Sequence, residues 1–579
     1  MKLVNIILAA SILMLVMGSG QAAYGPITMR EGANITLDGG YVIGAANATT
    51  AQGLATYSQT IGLMPFRDVK KYGAAGDGIT DDTSALQAVF DDAGLIYISN
   101  GTYIIDPDTE LFIRSNTTIL FDPGAILKNA AHNLAGYDML QLENVTNVNI
   151  YNPTLDGNKS GNSAVTGEWG MGIGIYSCTN VNIYNPHCIN MWGDGIYLTA
   201  RTGTTIHNQN IKIFNALCEY NRRQGLSIED GKDILISNGI FRHTNGTAPQ
   251  AGIDIEPFRA GQILKNVKLI NPTTENNTGS GIQIYLGYID SINDTINILI
   301  ENHEDNNTPG RYKTSPSGAL KIGPVRYLKG VINVIDPVWR NSYKSALVLY
   351  EKEVNAYRLN IVRPMVINPN TAGSTAWAGA ATFSMVVPVG EANTYASGNI
   401  SIIDPVVRKG TYAPTQTYLF YDARSNGKGF NNISVINPDG LYHVSTANCF
   451  SFAYYAVAFS KNNVSGYVRD DTEQLTWKED AALTIGSTAY YSVIDNAKFT
   501  TTRTITWSES YPIGLSTTYR VSVAQILRIY PHSNDTIYPT GTGAGKYIQS
   551  NTVGSSITLK KVALHDWRVT NIVGTWVAE

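Results

Sequence analysis

Apolar and polar residues alternate along the middle of the chain in short runs, and the runs recur. NVNIYNP begins at 147 and again at 180, followed by NIKIFNA at 210, DILISNG at 233, NVKLINP at 266 and INILIEN at 296. Looser copies, GVINVIDP, NISIIDP and NISVINP, begin at 330, 399 and 432. A second phrase lies between them: GIGIYS at 172, GIYLTA at 195, GLSIED at 225, GIDIEP at 252, GIQIYL at 281, ALKIGP at 319 and ALVLYE at 346. Alternation with a period of two is the mark of a strand with one buried face. Recurrence every roughly 23 to 39 residues is the mark of a solenoid.

Such a unit has short strands in fixed order and no helical stretch, so it buries its apolar face only by stacking on its neighbours. The pattern therefore predicts an all-β chain, a right-handed parallel β-helix with three strands and three turns per coil. Asn and Asp at the strand ends fit turns that visit the left-handed region. A propeller would need four evenly spaced strands per unit, and a leucine-rich repeat would need a helical segment.

Stacking turns the repeated phrases into columns. With the Ile and Leu of each G-I-x-I phrase pointing inward, one outward column reads Tyr197, Ser227, Asp254, Gln283, Lys321, and the next reads Thr199, Glu229, Glu256, Tyr285, Gly323. Neighbouring coils stand about 4.8 Å apart, so Glu229, Asp254 and Glu256 gather on one outer patch. Like charges this close are destabilising unless used or neutralised, and they raise at least one pKa. A glycosidase needs one protonated carboxyl and one ionised carboxylate in such an arrangement. Calcium chelation is a competing use, and a solvated acidic surface paired with Arg222, Arg223, Arg259 or Lys321 is another. Tyr197, Tyr285 and Tyr350 stand near the same columns and Trp192 on an adjacent turn, where their rings would stack on sugars. Asp194, in MWGDGIY, suits a turn-forming Asp-Gly and is a secondary catalytic candidate.

Cys188 and Cys218 each precede an aligned glycine by the same interval, which predicts equivalent places on adjacent coils, either as a buried thiol ladder or as a disulfide. With Cys178 and Cys449 they are too few for a disulfide scaffold and lack zinc-site spacing, so no metal is expected through sulfur. The net charge of −4 and pI near 6.1 make nucleic acid an unsuited partner.

Lys2, the apolar run Leu3 to Met17 and the small residues GSGQAA have the order of a secretory signal, predicted over residues 1–23, and no later stretch is apolar enough to span a membrane. Residues 24–62 read as a neck or linker, 63–465 as the coil, and 466–579 as a β-rich module for oligomerisation or glycan contact, with His565, Asp566, Trp567 and Trp576 assigned to its core rather than to a site.

The stretch FRDVKKYGAAGDGITDDTSALQAVFDDAG at 66–94, followed by IYISNGTYII, resembles the opening of the pectate-lyase-like right-handed parallel β-helix superfamily, which includes secreted polysaccharide-degrading enzymes and bacteriophage tailspike depolymerases. There Asp77-Gly78 makes a tight turn, and Asp81 or Asp82 caps a helix from about Thr83 to Ala93 that closes the end of the coil. The resemblance implies action on a polysaccharide, and the outward columns and their neighbours then supply Glu229, Asp254, Glu256 and Asp194 as catalytic candidates and Tyr197, Trp192, Arg222, Arg223, Gln283, Tyr285 and Lys321 as substrate-binding ones. It also makes Arg222 and Arg223 candidates for the base of a lyase. No cofactor is expected, and calcium only for a lyase. The N-x-D, paired-aspartate, G-H-G and R-x-K motifs of polygalacturonases are missing, and GIDIEPF is only a loose analogue of the D-P-H-E of alginate epimerases. A glycosidase-type depolymerase is therefore expected ahead of a lyase. A secreted enzyme, a virion spike built as a homotrimer, and a non-enzymatic glycan-binding adhesin remain the three settings.

Overall fold

A computed structural model describes residues 66–408, except 312, 315–316, 351, 373–380 and 387–396, together with most of residues 493–579; elsewhere only short strands are placed. The expected signal, most of the expected neck, Cys449 and the coil's end toward residue 465 lie outside the described residues. In the unit formed by residues 1–66, strands Asn34–Thr36 and Val42–Gly44 pair antiparallel.

The recurring phrases form the predicted coil. Its strands stack into three parallel sheets of 12, 13 and 12 strands. The NVNIYNP phrases lie in the back sheet, strands such as His187–Ile189 and Leu217–Glu219 form a narrow side sheet, and the G-I-x-I phrases form the front sheet. On the front, Ile173, Ile196, Leu226, Ile253, Ile282, Leu320 and Leu347 stand in register and fully buried. Each burial contributes about 1.5–3 kcal/mol, repeated from coil to coil.

The glycine that opens five of the seven front phrases has a steric reason; Ala319 and Ala346 open the other two. A Cβ on Gly195 would come within 2.6 Å of the Gly225 carbonyl oxygen, and a Cβ on Gly225 equally close to that of Gly252. The missing side chains leave room for the carbonyl oxygen of the next coil.

Asparagine sets the corners. Asn180, Asn185, Asn210 and Asn215 all have φ near +55°. Their amides also form ladders, Asn210 donating to Asn180 at 2.8 Å, Asn185 to Asn152 at 2.7 Å and Asn215 to Asn185 at 2.9 Å. Asn185→Ala removes two ladder bonds and leaves a Cβ-bearing residue without its local hydrogen bonds at positive φ. It is expected to cost about 1–2 kcal/mol, seen as a lower urea midpoint, and Asn185→Gly is expected to cost less.

The helix spans Thr83–Asp91, shorter than expected because Ala93 turns left-handed at φ 53°. The two aspartates before it divide the work. Asp81 accepts from the Thr83 backbone N–H, whereas the Asp82 carboxylate binds the N–H groups of Ala75 and Gly76 and makes no cap bond. Asp77 closes its turn by accepting from Ile79 and Thr80. Cys188 and Cys218 pair in register as buried free thiols. No helix among the described residues is long and apolar enough to cross a membrane.

Residues 493–579 contribute strands to two further sheets, packed around Trp507, Tyr519 and Trp567. Of the four residues expected in that core, Trp567 is buried and Trp576 packs against it, while the His565 side chain is 47% exposed.

Candidate active site

The front sheet aligns Tyr197, Ser227, Asp254, Gln283 and Lys321 as one outward column. Backbone bonds from Glu229 to Leu198 and from Glu256 to Ile228 carry the register one residue further, so Glu229 and Glu256 are neighbours in the next outward column. Asp194 departs from the turn role. It begins the strand Asp194–Thr199, and its side chain stands beside Ser227, whose hydroxyl donates to it at 2.7 Å.

The carboxyls are mostly covered. Asp194 is 0%, Asp254 1% and Glu229 7% exposed, whereas Glu256 is half-buried. Arg223 donates to Asp194 at 2.9 Å and to Glu168 at 3.1 Å. Asp254 accepts from Gln224 at 2.7 Å and from Gln283 at 3.3 Å, and it shares a hydrogen bond with Glu256. Tyr197 donates its hydroxyl to Glu229 at 2.7 Å.

Five carboxyls thus surround one guanidinium, with the Lys321 ammonium bound to Gln283 at 3.0 Å. Burial, then repulsion from Glu256, pushes Asp254 well above the usual carboxylate range, and Arg223 only partly opposes this. Burial raises Glu229 to about 7 against hydrogen bonds from Tyr197 and Thr199. Burial likewise raises Asp194 despite Arg223, and one of its oxygens has no partner.

Linkage gives the raised Glu229 value a sign. The folded chain keeps a proton that the unfolded chain releases above its ordinary pKa of 4.5, so stability falls as pH rises from there to about 7 and is level beyond. The drop is about 3 kcal/mol at most. A pH series of thermal melts is expected to show a smaller fall for Glu229→Gln than for the parent.

The expected sugar platforms are largely occupied. Trp192 is buried, with the Arg222 guanidinium 4.1 Å from its ring centroid and its indole N–H directed to the Thr166 carbonyl. Tyr197 is buried against Tyr176, Tyr285 is half-buried, and Lys321 stands 5.6 Å from the Tyr350 ring. Arg259 bonds Ala200 and Thr202 rather than the carboxyls. Glu168 and Gln224, absent from the sequence reading, complete the network; Gln224 stands in register with Asp194. Among the described residues no group of three or more His, Cys, Asp or Glu side chains is placed to hold a metal ion.

Residues 66–305 match the family model described as rhamnogalacturonase A/epimerase, pectate lyase-like. The chain is 28% identical over 279 residues to the uncharacterized protein YclG of Bacillus subtilis, covering 42% of this chain and 46% of that one. It is 28% identical over 219 residues to the preneck appendage protein of Bacillus phage PZA, covering 34% of this chain and 25% of that one. The chain thus spans less than half the length of these relatives. Among solved structures, the A-module of the mannuronan C-5 epimerase AlgE6 of Azotobacter vinelandii superposes with a TM-score of 0.50 at 17% identity, covering 64% of this chain and 93% of that one, a likeness of fold.

Proposed function

We propose, from the match of residues 66–305 to a pectate lyase-like family model, that this chain is a glycosidase-type depolymerase of an extracellular or cell-surface polysaccharide. One observation carries the reading: on adjacent coils, a carboxyl held up to about 7 by burial, Glu229, stands beside the more open Glu256. In this reading Glu229 hands its proton to the leaving glycosidic oxygen, and Glu256 acts as the ionised nucleophile or as the base for water. Asp254 positions Glu256 through their shared hydrogen bond, and Arg223 balances the buried charge. Elimination from a uronate with Arg223 as base is the weaker reading, because that guanidinium is spent on Asp194 and Glu168 and its side chain is only 15% exposed. Likeness to a phage appendage protein supports a virion spike as the alternative setting to a secreted enzyme, with a homotrimer and a purely glycan-binding role as its further forms.

The test is release of reducing ends from alginate, polygalacturonate, xylan and bacterial capsular polysaccharides, with ultraviolet absorbance of unsaturated uronate followed in the same wells. Reducing ends without that absorbance support hydrolysis. Absorbance transfers the reading to a lyase, and binding without cleavage transfers it to an adhesin.

A further inference from the structure

Toward the N-terminal coils, the front sheet carries a cleft that the carboxyl network does not fill. It encloses about 390 Å³ and lies between the strands Gly136–Glu143 and Trp169–Tyr176 and the segment Phe258–Arg259. That is the size of a small-ligand site.

A gap in the outward column makes room for two of the cleft's polar groups. The residues before Ser227 in that column are Gln141, Gly174 and Tyr197. A Cβ on Gly174 would lie 2.8 Å from the Asp138 carboxyl and 2.5 Å from the Tyr176 ring, so glycine opens the space that these two groups occupy. Asp138 accepts from the Tyr176 hydroxyl at 2.7 Å and from Gln141 at 3.1 Å, both through the same oxygen. Gln141 also donates to Glu110 at 2.8 Å. Apolar surface frames these polar groups: Trp169 is 58% and Phe258 40% exposed. An open indole and a phenyl beside a hydrogen-bonding floor match the two faces of a sugar ring, one of C–H groups and one of hydroxyls.

The cleft joins the carboxyl patch through Tyr197, which lines it and donates to Glu229. Four coil steps, about 19 Å, separate the strand of Asp138 from that of Asp254. A polysaccharide strand lying along the coil axis reaches both.

We propose that this cleft is a second saccharide site that holds one hydroxyl-rich ring, with Trp169 and Phe258 against its C–H surfaces and Asp138, Glu110 and Gln141 bonded to its hydroxyls. The inference rests on the polysaccharide reading above, but its residues are separate from Glu229 and Glu256. Burial also raises Asp138 to about 7, against hydrogen bonds from Tyr176 and Gln141, so near neutrality this carboxyl both donates and accepts.

Isothermal titration of the full chain carrying Glu256→Gln with alginate, polygalacturonate, xylan and dextran tests it. Adding Trp169→Ala, at an exposed position that does not threaten the fold, is expected to weaken the best-bound polymer about tenfold. Asp138→Asn, nearly isosteric, is expected to weaken it several-fold. Unchanged affinity in both variants overturns the inference, whatever happens at Glu256. Should the parent cleave none of these polymers while Trp169→Ala still weakens binding, the cleft stands and the depolymerase reading falls. Absence of any binding by the chain overturns both.

Discussion

Glu256→Gln is expected to lower reducing-end release about 10²- to 10⁴-fold, the usual weight of a positioned acid–base group, while leaving the melting curve almost in place. Glutamine keeps the shape of the side chain and can donate an amide hydrogen to Asp254, so the buried network retains a partner where Glu256 stood. What it cannot do is carry the negative charge that a sugar-like cation needs in the transition state. Because Glu256 is half-buried while Asp254 is 1% exposed, the substitution acts where substrate reaches and not beneath it. Turnover by Glu256→Gln at the parent's rate would remove the adjacent-coil pair from the chemistry.

The largest stability effect is expected at Asp535→Ala, in the C-terminal sheets. Asp535 and Lys561 form an ion pair whose side chains are 2% and 1% exposed. The same carboxylate accepts from the Trp567 indole at 2.8 Å and pairs with His565 at 3.0 Å. Burial acts to raise its pKa, yet the bonds from Lys561, Trp567 and His565 outweigh this and hold it below the ordinary value. Removing the acid leaves an ammonium and an indole N–H buried without that partner, a loss of about 3–5 kcal/mol. Trp507 and Trp567 lie 3.8 Å apart, ring centre to ring centre, so their fluorescence reports the transition directly. The double variant Asp535→Leu/Lys561→Met is expected to recover most of the loss, because no charge then remains unpaired. Failure of Asp535→Ala to shift the fluorescence transition would show that the pair contributes nothing net.

The register of the site was legible in the chain because a period of two and a repeated glycine determine which residues face outward and which coils they share. Tyr197, Ser227, Asp254, Gln283 and Lys321 could be aligned from the G-I-x-I phrases alone, and the structure aligns them the same way. Contacts made by long side chains across coils were not legible. Arg223 bridges to Glu168, 55 residues away, and Arg222 covers Trp192, because rotamers and loop paths decide those contacts, and periodicity says nothing about them. Asp194 looked like a turn residue because Asp-Gly usually is one; here stacking against the next glycine makes it the head of a strand. The Asp138 cleft is not legible in the chain for a related reason. Its strand, GYDMLQLE, lacks the opening G-I, and its acid sits three residues before the column that carries Asp254.

The glycine column has a consequence for how such a molecule can be altered. Every coil meets the next through the same three strand pairings, and each contributes only a few side chains to the face where chemistry is proposed. A single coil is therefore a cassette. Exchanging the segment that carries Asp254 and Glu256 for one carrying other outward residues, with its glycine and inward isoleucines kept, would rewrite the face at one rank and leave the ranks on either side to dock as before.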